Sequence, residues 1–194
     1  MNLLFRLLRV VIASWFKPKI TDILSIQRIN LRVWPNDVDM NMHMNNSRYL
    51  AIMDLGRVDL IVRSGLWGAM RRENAMPVLS TAQMRYRIPL NPLERYTLET
   101  SLVGWDDKWL YIEQRFIISK GRKAGAVAAI GLVKGVFYSR TTKETVPTQR
   151  LLDIIGAAQE SPGLPPYITD WITADESLRD YVRAAPVVKD DRAD

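Results

Sequence analysis

The sequence predicts an α+β fold in which an antiparallel sheet wraps around one long central helix. Two observations favour this class. A single long apolar helix follows one early strand, and four strand-like segments then succeed one another with turn residues between them. These segments lie near residues 76–88, 94–104, 108–120 and 124–139.

The first 20 residues predict an amphipathic helix that precedes the sheet domain. Apolar residues recur at helical spacing from Leu3 to Trp15, Arg6 and Arg9 lie on other faces, and Pro18 ends the helix. The uncharged apolar run is far shorter than the roughly 20 residues of a membrane span, and the arginines interrupt any signal-peptide core. Two interpretations stay open: the stripe packs on the protein or on a second subunit, or it lies in the headgroup region of an anionic membrane.

The next elements are the early strand and the long helix. In residues 28–34 the apolar side chains alternate, which indicates a half-buried strand. The helix begins at the potential caps Asn45 and Asn46 and carries apolar residues on more than one face as far as Val62. We therefore expect this helix to be buried on several sides.

The remaining strands complete the predicted domain, residues 21–156. The segment 124–139 is almost continuously apolar and suits a central strand, and a short helix from Gln149 to Ile155 follows Pro147. Residues 157–194 are predicted to form a C-terminal tail that is partly helical or disordered.

Composition excludes several classes of site. The absence of cysteine excludes disulfides, a thiolate nucleophile and cysteine-based zinc sites, and a single histidine excludes the usual histidine-rich metal sites. We expect neither a metal nor a cofactor. Lys and Arg number 27 against 21 Asp and Glu, but four of the cations lie in an acid-free stretch, residues 1–20. The excess is local, so no nucleic-acid partner is expected.

The only histidine lies in DVDMNMHMNNSRYL, residues 37–50. This stretch resembles the signature of the 4-hydroxybenzoyl-CoA thioesterase branch of hot-dog proteins, and more closely that of plant acyl-ACP thioesterases, Asp-x-Asp-x-Asn-x-His-x-Asn-Asn. The matching positions are Asp37, Asp39, Asn41, His43, Asn45 and Asn46. The resemblance covers about residues 25–156. It implies a hot-dog fold and hydrolysis of acyl-CoA or acyl-ACP to the free acid and the thiol.

The resemblance also implies roles for individual residues. Asp39 matches the family's catalytic carboxylate, which acts as nucleophile or general base, while Asn41 and His43 would orient the water, the acyl group or the carboxylate. Because a helix N-terminus has free N–H groups and a positive dipole end, the backbone amides of Met44, Asn45 and Asn46 are candidates to polarise the thioester carbonyl.

Other interpretations stay open. Asn45 and Asn46 also fit as plain helix caps, and a noncatalytic acyl-binding or membrane-associated hot-dog protein is the alternative function. Because relatives build the site between subunits, we expect at least a homodimer. The predicted location is cytoplasmic, with residues 1–19 as a peripheral contact to the inner face of an anionic membrane. On that view, a form beginning near Thr21 is expected to keep its turnover.

Overall fold

The computed structural model describes residues 2–157 and 159–185, and these divide into two compact units between Pro162 and Gly163. The helices are α1 Asn2–Phe16, α2 Asn46–Ser64, α3 Leu66–Arg72, α4 Thr148–Ile154 and α5 Pro166–Ala184. The strands are β1 Gln27–Arg32, β2 Ala75–Tyr86, β3 Arg95–Trp105, β4 Leu110–Ile118, β5 Val127–Ser139 and β6 Thr145–Val146. The second unit contains α5, and all the other elements belong to the first.

The strands form one antiparallel sheet in the order β1-β3-β4-β5-β2, and β6 pairs with the end of β5. The predicted α+β class is therefore confirmed, and so is the interior position of β5, which lies between β4 and β2. Consecutive strands β3, β4 and β5 pair with their neighbours, as short connections favour. Within the described residues, β1 and β2 are the two edges of this path.

Helix α2 packs across the sheet at close range. Its buried residues include Ile52, Met53 and Leu55, and Gly56 faces Thr100 of β3 and Gln114 of β4. Gln114 is buried and donates from Nε2 to the Met53 carbonyl and to Thr100 Oγ1, both at 2.9 Å. A glycine at this position lets the helix backbone approach the strands, which fixes the height of α2 above the sheet.

Helix α1 is a packing element on one face only. Val10 and Ser14 are buried, and Ser14 Oγ and Lys17 Nζ donate to Asp59 Oδ1 of α2 at 2.7 and 2.8 Å. Arg6 forms a buried ion pair with Asp37. The opposite face is exposed and consists of Leu4, Phe5, Leu8, Ile12, Trp15 and Phe16. The helix thus packs through its inner face, where Leu3 and Leu7 of the predicted stripe are partly buried. Leu4, Leu8, Ile12 and Trp15 of the same stripe lie on the exposed face and have no partner among the described residues.

Several elements were not predicted. The seven residues after Gly65 form α3, Pro35–Asp37 forms a 3₁₀ turn, and β6 is a two-residue strand. Helix α5 occupies much of the predicted C-terminal tail, of which Ala158 and residues 186–194 lie outside the described residues. None of the described helices is both long and apolar enough to cross a membrane.

Candidate active site

A tight loop brings Asp39 and His43 together. Val38 and Met44 form an antiparallel bridge, the Asp39 N–H donates to the His43 carbonyl at 3.1 Å, and the Met42 N–H donates to the Asp39 carbonyl at 3.0 Å. Met42 adopts a left-handed backbone conformation with φ of 58°, which is uncommon for a residue with a side chain. Backbone hydrogen bonds close the loop, so Asp39 and His43 lie side by side at its base.

The Asp39 carboxylate is held by its own loop. Oδ1 accepts the Asn41 N–H at 2.9 Å and lies 3.8 Å from His43 Nδ1, while Oδ2 lies 3.5 Å from Asn45 Nδ2. The side chains of Asp39 and His43 are 23% and 35% exposed. The carboxylate is therefore oriented by neighbours yet still open to water or to a substrate carbonyl. No described side chain holds the Asn41 amide, which is exposed.

The N-terminus of α2 follows directly. Asn45 is the N-cap, and its Oδ1 accepts the Ser47 N–H at 2.9 Å and the Ser47 hydroxyl at 2.7 Å, which confirms the capping role. The Met44 N–H donates to the Leu90 carbonyl and the Asn45 N–H to the Asp37 carbonyl, both at 2.8 Å. Of the three candidate amides, only the Asn46 N–H has no acceptor in the described part of the chain.

Aromatic side chains form a wall beside this helix end. The ring of Tyr49 packs edge-on against Tyr86 and Phe116, with centroids 5.1 and 4.8 Å apart, and the Tyr86 hydroxyl donates to the Asn46 carbonyl at 3.1 Å. Burial raises the pKa of Tyr49 to about 12, so its phenol stays neutral at physiological pH and is not a general base. Sequence reasoning missed Tyr86, because nothing in the motif points to a residue of β2.

Asp37 is a structural member of the motif. It is 3% exposed, pairs with Arg6, and accepts the Trp34 N–H at 2.9 Å. Arg48 Nε lies 3.8 Å from its other oxygen. A buried carboxylate with these partners positions the turn, and Asp39 is the carboxylate of the pair that stays accessible to solvent. Arg6 gave no signal in the sequence, since a cation on an amphipathic helix usually faces solvent.

Within residues 2–157 and 159–185, no group of three or more histidine and acidic side chains is arranged to hold a metal ion. The candidate site thus consists of one carboxylate, one imidazole, two amide side chains and one free backbone N–H. These groups supply acid–base chemistry and hydrogen bonding to an oxyanion.

Comparisons with known proteins identify the family of this chain. A family model described as the thioesterase-like superfamily matches residues 33–172. Protein THEM6 of Xenopus laevis is 32% identical over 186 residues, which cover 95% of this chain and 86% of that protein. A probable thioesterase of Saccharomyces cerevisiae is 25% identical over 128 residues, covering 65% of this chain and 53% of that protein. Among solved structures, a probable thioesterase of Escherichia coli superposes with a TM-score of 0.60 at 22% identity, over 67% of this chain and 96% of that one.

Proposed function

This chain belongs to the thioesterase-like superfamily, and we propose that it hydrolyses acyl-CoA or acyl-ACP thioesters with Asp39 as the reactive carboxylate. The observation that supports this most directly is the placement of a partly exposed carboxylate 3.8 Å from an imidazole, beside a helix N-terminus with an unused N–H. A carboxylate is needed to attack the carbonyl or to activate water, and a donor is needed for the oxyanion.

Two routes fit this geometry. As a general base, Asp39 takes a proton from water while the water oxygen bonds to the thioester carbon; the tetrahedral intermediate then expels the thiolate, which receives a proton. As a nucleophile, Asp39 bonds to the carbonyl carbon, the C–S bond breaks, and water hydrolyses the resulting anhydride. In both, the Asn46 N–H and the positive end of α2 stabilise the oxyanion.

The neighbouring side chains have distinct roles in the proposal. His43 delivers the proton to the leaving thiolate, since its ring is partly exposed and reaches toward Asp39. Asn45 keeps the carboxylate in place through Nδ2, and Asn41 orients the acyl group or the water with its free amide. The backbone amides of Met44 and Asn45 do not serve as oxyanion donors in this proposal, because they already donate to the carbonyls of Leu90 and Asp37.

An apolar cavity of about 170 Å³ is the proposed receptacle for the acyl group. Its walls come from α2, α3 and α4 and from β2 to β5, and include Val58, Ile61, Val133 and Phe137. An engineered cavity of about 150 Å³ holds benzene, so this one has room for a group of roughly six carbons. The lining begins at Asp54, eight residues after Asn46 and about 12 Å along the helix. This favours medium-chain or aryl-terminated acyl groups over acetyl.

The proposed assembly is a homodimer or a higher homo-oligomer. The described site is built from one short stretch and lacks walls on its exposed side, where Met40 is fully exposed and Met42 is 66% exposed. Strand β2 is a long sheet edge that exposes Val78 and Leu79, a surface suited to edge-to-edge pairing with a second copy. A Leu79→Lys substitution should give monomers in analytical ultracentrifugation.

The proposed location is the cytoplasmic surface of an anionic membrane. The outer face of α1 exposes Phe5, Trp15 and Phe16 by more than two-thirds, and aromatic residues of this kind favour the membrane interface. Of the four cations in residues 1–19, Arg6 and Lys17 pair with Asp37 and Asp59, while Arg9 and Lys19 are exposed and can attract anionic lipid. A Leu8→Gln/Trp15→Gln protein should lose binding to phosphatidylglycerol vesicles while retaining its fold.

Thiol release tests the hydrolase proposal and separates it from the noncatalytic alternative. A panel of acyl-CoAs and acyl-ACPs should yield free thiol with the wild-type protein, and Asp39→Asn should lose most of that turnover while still binding acyl ligand. Asp107→Asn, exposed in the turn between β3 and β4 and outside the acyl cavity, is the matched control and should keep its rate. Ligand binding without thiol release by the wild type would favour the acyl-binding alternative. Full activity of Asp39→Asn would refute the assignment of the carboxylate.

A further inference from the structure

A groove of about 700 Å³ runs between α1 and the side of the sheet that contains the edge strand β1 and its neighbour β3. Its lining contains no acidic residue. Its cationic side chains are Arg6, Arg9, Lys17, Arg32, Arg95 and Lys120. Arg6 and Lys17 are neutralised by Asp37 and Asp59. The side chains of the other four make no ion pair or hydrogen bond within the described residues, so the groove carries uncompensated positive charge.

The strand register places two of these cations, Arg32 and Arg95, directly opposite each other. On the outward face of β1 and β3, Arg28 lies opposite Glu99 and pairs with it at 2.8 Å. Asn30 lies opposite Thr97 and accepts its hydroxyl at 2.9 Å. The next pair along is Arg32 opposite Arg95. Like charges directly opposite on antiparallel strands destabilise a sheet, and a bound anion removes the repulsion.

The floor of the groove supplies neutral donors between the arginines. Thr97 Oγ1 bonds to Asn30 and lies 3.0 Å from Ser119 Oγ, which forms a row of polar groups across three neighbouring segments. The Asn30 side-chain N–H₂ group has no acceptor in the described chain. Arginines around an open amide donor are the groups that bind the oxygens of a phosphate.

The position of Arg9 connects the groove to the exposed face of α1. At about 100° per residue, Arg9 lies roughly 40° around the helix from Phe5 and roughly 20° from Phe16. Arg9 therefore stands at the border between the apolar outer face and the groove. A phosphate at the level of the lipid headgroups would lie beside this border once the outer face is in the membrane interface.

We propose that this groove binds the phosphate of an anionic phospholipid headgroup. The proposal rests on the membrane contact of α1 and is independent of thioester hydrolysis. Arg32 and Arg95 hold the phosphate oxygens from the strand side, Arg9 from the helix side, and the Asn30 amide completes the set. A lipid is favoured over a soluble phosphate because the groove adjoins the exposed apolar face of α1, which a lipid membrane would bury and a soluble phosphate would not.

Vesicle sedimentation tests the groove. The probes are phosphatidylcholine vesicles with and without phosphatidylglycerol, and the variant is Arg32→Gln/Arg95→Gln. Loss of two lipid-contacting cations should weaken binding to the phosphatidylglycerol vesicles roughly 30-fold, and Arg9→Gln alone roughly fivefold. The matched control is Arg71→Gln/Arg72→Gln on α3, which removes two exposed cations outside the groove and should change binding less than twofold.

Two further readouts keep the outcomes separate. Arg95→Gln should raise the melting temperature of the protein without lipid, since it removes the repulsion with Arg32. Turnover on soluble acyl thioesters should be unchanged in the groove variant.

Vesicle binding by Arg32→Gln/Arg95→Gln equal to that of wild type would overturn the headgroup site and leave both the outer-face contact and the hydrolase proposal in place. A wild-type protein that ignores phosphatidylglycerol vesicles would overturn both membrane proposals. Thermal stabilisation by inorganic phosphate that the groove variant loses, without any change in vesicle binding, would assign the groove to a soluble phosphate and overturn the lipid.

Discussion

Replacing Gly56 by alanine tests whether the height of α2 above the sheet is set by this one residue. A Cβ at Gly56 would stand 2.7 Å from Gln114 Nε2 and 3.0 Å from Leu98 Cδ2, and it would also clash with Thr100 Oγ1. Gln114 cannot move aside freely, because it binds the Met53 carbonyl, Thr100 and Arg57 at 2.8 to 2.9 Å. The helix or the buried amide must therefore shift.

The magnitude follows from three contributions. Overpacking of a core costs about 1–3 kcal/mol, and a buried polar group left without its partner costs about 1–3 kcal/mol more. Alanine in place of glycine inside a helix offsets about 1 kcal/mol of this. We expect Gly56→Ala to lower the free energy of unfolding by about 1–5 kcal/mol. The shift should also displace the N-terminus of α2, so turnover should fall more than substrate binding.

Gly68→Ala is the matched control. Gly68 lies inside α3, and nothing is within 4 Å of the position that its Cβ would take. Only the helix preference then acts, and the variant should gain about 0.5–1 kcal/mol. Urea unfolding followed by circular dichroism measures both, with an unchanged m-value as the test that the same transition is compared. A Gly56→Ala protein as stable as wild type would show that α2 is not held at this contact.

Three other outcomes are expected. Asn45→Ala should lose about 0.5–2 kcal/mol of stability with the helix cap, and turnover should fall with the contact to Asp39. Asn45→Ser should restore stability but not turnover, since serine caps the helix without reaching Asp39; wild-type turnover in Asn45→Ser would contradict a role for the contact at Oδ2. Asp59→Asn should lower the unfolding free energy by about 3–5 kcal/mol, because Lys17 and Arg63 would keep their charges beside a buried neutral amide. Urea unfolding measures the loss, and a change below about 1 kcal/mol would contradict this ion-pair argument. Burial raises the pKa of folded Tyr49 to about 12, so its contribution to stability is complete below the unfolded pKa near 10 and is lost as pH rises from 10 to 12. In alkaline unfolding, Tyr49→Phe should therefore lose stability less steeply than wild type in that window. An identical decline in both proteins would exclude this phenol as its source.

The elements that sequence predicts well here are those whose signals are local. Alternation in residues 28–34 and the caps at Asn45 placed β1 and the start of α2 within a few residues, because side-chain period and capping act over one or two turns. Helix α3 was missed because its seven residues end in adjacent arginines and follow a helix-ending glycine with φ of 86°. The motif indicated Asp39 and His43 as neighbours, and the structure places them together.

The parts that escaped prediction depend on contacts between distant segments. Whether a backbone amide is free depends on its acceptor, and the acceptor of Met44 is Leu90, which belongs to the turn before β3. The burial of Asp59 depends on α1, 42 to 45 residues earlier in the chain. From sequence alone, a carboxylate on a helix is expected to face solvent. For Asp59, only the i,i+4 spacing to Arg63 indicated an ion pair.

Helix α1 shows why deletion cannot separate membrane contact from catalysis. Its inner face supplies Arg6 to Asp37 and Ser14 to Asp59, so a chain beginning near Thr21 leaves two buried carboxylates short of partners. The Asp37 carbonyl also accepts the Asn45 N–H at the cap of α2, which places α1 two contacts away from the site. The expectation that the shortened form keeps its turnover therefore has a physical argument against it. Substitutions at the exposed Leu8 and Trp15 leave every one of these inner contacts in place, so only they report on the membrane surface alone.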